Sequence, residues 1–219
     1  MPLEVWDATR DIRNLFITPE IRARIMRFEP HQLSSGHTHD LGHEMFVVLD
    51  GQAEFTIAGE TAVLAPGQAC VARAGQWHEV RAVGDGPMTL YLSVTPHIEP
   101  THTQWDREGG SQLPYRYGVA TRAERGSTPP DAETLGQLLE RHVAASTALA
   151  EAARSNASAQ ADIAADLRTA LGNGDTAAAH AALDRMWAAY RSMYGNLQAS
   201  EQTWNDLAAA AGQRLTNER

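Results

Sequence analysis

Two histidines one residue apart, His37 and His39, stand just ahead of the apolar run Met45-Phe46-Val47-Val48-Leu49. A short apolar run followed by a glycine-bearing turn reads as a buried strand. In extended chain, residues i and i+2 share a face about 6.6 Å apart, so both imidazoles can lean onto one ion. Glu44 follows a short loop through Gly42 and offers a hard oxygen ligand, and His78 is the natural fourth ligand. Three nitrogens and one carboxylate around open positions describe a mononuclear metal centre. His43, beside Glu44, is expected to face away from the ion, either supporting the ligands or lying outside them.

The flanking chain has the strand pattern such a site needs. Ile21, Ala23 and Ile25 alternate with Arg22, Arg24 and Met26, as in a half-buried strand. Glu44–Leu49, the turn Asp50-Gly51 and Ala53–Ile57 predict a hairpin. Thr61–Leu64, Cys70–Arg73, His78–Val83 and Met88–Val94 follow, separated by glycine-bearing turns. Many short strands with regular turn punctuation predict an antiparallel barrel of the jelly-roll type.

This constellation resembles the cupin superfamily. The first family motif, His-x-His, then Glu, then Gly, is matched by His37, His39, Glu44 and Gly51, with Gly36 closer to the first histidine than the pattern places it. The second motif is matched by Gly67, Gly75 and His78, but Arg73 stands where a proline is expected and Ala82 replaces an asparagine. The resemblance covers roughly residues 20–97. It implies a jelly-roll barrel and activities ranging over dioxygenases, oxidases, isomerases, lyases and members without catalysis.

Residues 96–130 are rich in Pro, Gly and Thr and end in Gly126-Ser127-Thr128-Pro129-Pro130, which reads as a boundary. Trp105, Tyr115 and Tyr117 suggest that this segment packs along the outside of the barrel; His97 and His102 on it are further, weaker candidates for a metal site. From Asp131 the chain is helical and alanine-rich. Leu135, His142, Leu149, Asn156, Ile163 and Ala170 fall seven apart, with Leu139, Ala153 and Leu167 four residues after members of that series, a coiled-coil-like stripe. Asp131 is the expected first cap, Gly172-Asn173-Gly174 the stop, Asp175 the next cap, and Gly195-Asn196 a turn before a last helix. An unbroken first helix would span about 60 Å at ~1.5 Å per residue. Beside two shorter helices, that length implies a break near Arg154–Ser158 or a partner chain. The expected organisation is therefore a β-barrel over 1–98, a linker packing on it over 99–130, and an α-helical hairpin or bundle over 131–219.

Composition narrows the function. The net charge of −9 is spread along the chain, leaving no basic patch for nucleic acid or an anionic membrane. All 18 basic residues are arginine, which excludes lysine Schiff-base chemistry. The single cysteine, Cys70, lies in an apolar stretch and reads as a buried structural thiol. A charged N-terminus without an apolar core and the lack of any long apolar stretch predict a soluble, cytoplasmic protein.

The ligand set leaves about two positions of an octahedron for substrate, water or dioxygen, and suits iron, manganese, nickel, copper or zinc. Trp77, Tyr91, Phe46 and Arg24 (or Arg22) are the candidate pocket walls, an inward arginine favouring a carboxylate. The favoured reading is a metal-dependent enzyme, most plausibly an oxygenase, acting on a small organic acid. The alternatives are a ligand-sensing or storage protein whose helical tail drives assembly, and a barrel in which metal is only structural. A homodimer is the expected assembly.

Overall fold

The computed structural model describes residues 3–106, 110–118 and 133–217. Ten strands form the N-terminal part: β1 (Asn14–Ile17), β2 (Arg22–Phe28), β3 (His37–Thr38), β4 (His43–Asp50), β5 (Gln52–Ile57), β6 (Glu60–Leu64), β7 (Ala69–Ala72), β8 (His78–Val83), β9 (Met88–Thr95) and β10 (Thr103–Gln104). Two helices follow, α1 (Leu135–Gly172) and α2 (Thr176–Asn217). The strands make two five-stranded antiparallel sheets, in the orders β1-β2-β9-β4-β7 and β10-β3-β8-β5-β6. This is the jelly-roll arrangement that the strand pattern predicts.

Side-chain alternation sorts the core into layers. Phe46 and Val48 on β4, Leu90 and Leu92 on β9, Phe55 and Ala53 on β5, and Val80 and Ala82 on β8 all belong to one buried apolar cluster. Directly paired residues share a face. The row Arg22–Val94–Glu44–Ala72 therefore crosses the first sheet on its inner side, above the row Arg24–Leu92–Phe46–Cys70. In the second sheet the matching row is Gln104–His37–His78–Ile57–Glu60. Between β4 and β5, Gly51 turns at φ +73°, and a Cβ there would lie 2.5 Å from the Pro87 carbonyl oxygen. Only glycine fits that position.

Three expectations change. β2 is not half-buried: the face bearing Arg22, Arg24 and Met26 is the inner one, as the pocket-wall reading of the arginines expects, and Ala23 and Ile25 on the other face are buried as well. Within 99–118, Thr103–Gln104 does not pack outside the barrel but extends the second sheet by pairing with β3. The helical stretch has neither a break near Arg154–Ser158 nor a turn at Gly195-Asn196, because α1 and α2 are continuous helices of 38 and 42 residues. A partner of similar length removes the need for either interruption.

The chain divides into two compact units, residues 1–130 with 208–219, and residues 131–207. In the second unit, Thr134 caps α1 through a capping box with Gln137. Asn173 and Gly174 (φ +69°) end α1, and the Asp175 carboxylate accepts from the Ala178 N–H at the start of α2. The boundary sequence at 126–130 and the expected Asp131 cap lie outside the described residues. Gln160 Nε2 donates to the Met186 carbonyl at 2.8 Å, and Asp166 pairs with Arg185 at 2.9 Å. Leu138 is buried on α1 while Leu139 is exposed, so the seam runs through the former. From Ala208 onward, α2 belongs to the first unit: a Cβ on Gly212 would lie 2.5 Å from the Tyr117 carbonyl oxygen. Among the described residues, no helix is long and apolar enough to cross a membrane.

Candidate metal centre

Four side chains converge near the mouth of the barrel. His37 comes from β3, His78 from its direct partner β8, Glu44 from β4 in the facing sheet, and His39 from the loop between β3 and β4. One ligand atom from each lies within 4.8 Å of the others. Glu44 Oε2 is 2.9 Å from both His39 Nε2 and His78 Nε2, and 3.9 Å from His37 Nε2.

The tautomers follow from the partners on the opposite ring nitrogens. Nδ1–H of His37 donates to the Ser35 carbonyl at 2.8 Å, that of His78 to the Gln76 carbonyl at 2.9 Å, and that of His39 to the Thr101 carbonyl. Each ring then turns its Nε2 to the same point, the orientation that carbonyl-anchored metal-ligating histidines adopt. His37 Nε2 is buried without a hydrogen-bond partner. As lone-pair donors these three nitrogens would repel one another and the carboxylate unless a cation lay among them, so the set fits a divalent ion.

Electrostatics agree. Burial pushes the Glu44 carboxyl up, but the hydrogen bonds and charges of His39 and His78 outweigh it and hold the group well below its usual range. Burial, reinforced by His78, lowers His37 to about 4, so it is neutral and available as a ligand at ordinary pH. Cys70 is raised to about 11, first by burial and then by the Glu44 charge, leaving it a protonated, inert thiol.

The other expected site residues divide. Phe46 lies one row beneath Glu44 with its ring 5.8 Å from His78 and 5.0 Å from Phe55, forming part of the apolar floor. Arg24 shares the Phe46 row and is partly buried, whereas Arg22, in the Glu44 row, is 2% exposed. Tyr91 pairs with Ile25 and Val47, which puts it on the outer face, away from the ligands. Trp77 adjoins His78 and so points the other way. It packs against Gly36 and lines an outer groove of about 630 Å³ with Thr38, Glu79 and Trp105. His43 is exposed and accepts from the Ala74 N–H, on the side away from the ligands.

His102 comes beside the group of mutually close ligand atoms without joining it. Its ring lies 4.6 Å from that of His37 and 5.0 Å from that of His39. Only the pairing of β10 with β3 brings it there, and that two-residue edge strand has no periodicity to find. His97 is buried as well, with its Nδ1 3.2 Å from the Thr101 hydroxyl. A cavity of about 480 Å³ is lined by Phe55, Ile57, Cys70 and Arg73 among others, and none of the four converging side chains lines it.

Residues 24–95 match the family described as Cupin domain, and the chain carries a cupin domain in that segment. Among solved structures it is similar to a conserved protein with a double-stranded beta-helix domain from Klebsiella pneumoniae, at 21% identity over 43% of this chain and 91% of that one, TM-score 0.41. A Thermus thermophilus protein is similar at 26% identity over 43% of this chain and 98% of its own, TM-score 0.41. KdgF from Halomonas sp. is similar at 24% identity over 40% and 79%, TM-score 0.37. No curated protein matches the chain by sequence.

Proposed function

We propose that His37, His39, Glu44 and His78 hold one divalent transition-metal ion, and that the protein is a mononuclear metal-dependent enzyme, an oxygenase in the favoured form, acting on a small organic acid. The observation that carries this reading is the shared aim of three Nε2 atoms, each fixed by an Nδ1–H donated to a backbone carbonyl, at the Glu44 carboxylate. A bound ion supplies Lewis acidity, and a redox-active one supplies dioxygen chemistry. The chain's own residues do the rest. Phe46 and Phe55 exclude water from beneath the site.

The test is elemental analysis of untagged protein beside Glu44→Ala. About one iron, manganese, nickel, copper or zinc per chain, lost in the variant, supports the site. Full metal retention in Glu44→Ala sinks it. Oxygen consumption with a panel of small organic acids then separates oxygenase from redox-neutral chemistry.

A second reading, a non-catalytic binding protein assembled through its helices, is favoured by one observation. Leu183, Trp187, Tyr190 and Tyr194 form an exposed stripe along α2. Their four-three-four spacing reads the same in both directions, so an antiparallel second copy would set Trp187 against Tyr190 and Leu183 against Tyr194. Light scattering on Trp187→Glu tests it: an unchanged mass argues against this surface.

A further inference from the structure

The three converging histidines are aimed in two different ways. His37 and His78 each donate Nδ1–H to the carbonyl two residues earlier in their own segment, Ser35 at 2.8 Å and Gln76 at 2.9 Å. His39 instead donates to the Thr101 carbonyl, 62 residues away in the sequence. A carbonyl can only accept, so this contact needs a proton on Nδ1 whatever Nε2 carries. The first two rings take their aim from their own strands. His39 keeps its aim only while Thr101 stays in place.

Asp40, the residue after His39, holds that distant segment. Its Oδ1 accepts from the Thr103 hydroxyl and its Oδ2 from the Tyr115 hydroxyl, both at 2.6 Å. That is the length of a charge-assisted O–H···O⁻ bond, stronger than a bond between neutral groups. Thr101 and Thr103 are both buried. The backbone ladder at this point is only the two-residue pairing of β10 with β3, so the Asp40 carboxylate adds two side-chain bonds to a short tether. The His39 backbone is fixed separately, its carbonyl accepting from the Gly75 N–H at 2.8 Å. Releasing the segment would therefore free the His39 ring while leaving its backbone held.

We propose that Asp40 is a positioning residue for the candidate metal centre: through Thr103 and Tyr115 it clasps the segment bearing Thr101 onto the His39 loop, and so sets the direction of His39 Nε2. The consequence for ion affinity rests on the metal-centre reading above, whereas the clasp itself can be tested without metal. By linkage, an ion held through His39 tightens the same clasp.

The experiment uses the full chain labelled with nitrogen-15 histidine. In chelated protein, NMR follows exchange of the ring Nδ1–H protons with solvent, the His39 signal being assigned by its loss in His39→Gln. Asp40→Ala should speed exchange at His39 about tenfold or more and leave His37 and His78 unchanged. Asp40→Asn, which keeps one acceptor oxygen, should recover part of the protection. Tyr115→Phe should act in the same direction to a smaller extent, and it decides alone if the Asp40 variants do not fold. Cobalt(II) titration of the same proteins should show affinity falling in the same order. Unchanged exchange at His39 in the variants overturns the clasp, as does the lack of a protected His39 Nδ1–H in wild type. Equal acceleration at all three rings also overturns it, since the whole barrel is then loosened. Faster exchange at His39 with unchanged cobalt affinity overturns the positioning role. Failure of wild type to bind cobalt, with the His39 effect intact, overturns the metal-centre reading and leaves the clasp standing.

Discussion

Arg22 and Glu44 flank Val94 in a single cross-strand row on the inner face of the first sheet. The next row on that face carries Arg24 beside Leu92 and Phe46, and Leu90 and Val48 lie below it. The apolar rows contribute folding free energy by burial, and the upper row is left for ligand chemistry.

Metal binding should stabilise the wild-type chain and not Glu44→Gln. At a free ion concentration about a hundred times the dissociation constant, the gain is roughly 2.7 kcal/mol. Thermal unfolding with and without added ion measures it. An equal shift in both proteins would place the ion elsewhere.

The chelated protein should lose stability as pH falls from about 6.5 toward 4. His37 is lowered to about 4 and His97 to about 3, each mainly by burial, and His102 is lowered in the same direction. Below the unfolded value near 6.5, the unfolded chain binds protons that the folded chain refuses, so acid favours unfolding. Each group contributes on the order of 1 kcal/mol per pH unit within its window. Urea unfolding at pH 7, 6 and 5 checks the slope; a flat profile would mean that these rings are hydrated.

Phe46→Ala should cost about 3–5 kcal/mol, since the ring is 2% exposed between Phe55 and His78. Its neighbour Met45 points outward at 48% exposure. Met45→Ala should change stability by less than about 1 kcal/mol. Denaturant midpoints for the two variants test the assignment of inner and outer faces on β4.

Two glycines of α2 should respond with opposite sign. Around Gly195 nothing lies within 4 Å of an added Cβ, so Gly195→Ala should stabilise by roughly 1 kcal/mol through helix propensity. Gly212 abuts Tyr117, so Gly212→Ala should destabilise despite the same propensity gain. By the same contact, cutting the chain after residue 130 should lower the melting temperature of the barrel, because residues 208–219 belong to its unit. Equal responses of the two glycine variants would detach the end of α2 from the first unit.

The sequence by itself determined what is local. The hairpin at Asp50-Gly51, the strands from β4 to β9, the caps at Gly172-Asn173-Gly174 and Asp175, and the shared face of His37 and His39 are legible from period, turn chemistry and i,i+2 spacing, while the motif resemblance joins Glu44 and His78 to them. Alternation says which side chains share a face but not which face meets the core. So the inward turn of Arg22 and Arg24, and the outward turn of Tyr91 and Trp77, waited on strand pairing. The continuity of α1 and α2 was decided by packing between helices of similar length, which outweighs a glycine at 195. His102 came to the candidate metal centre only through the pairing of β10 with β3. Register between distant segments is set by tertiary contacts, and a two-residue strand leaves no periodic trace of it in the sequence.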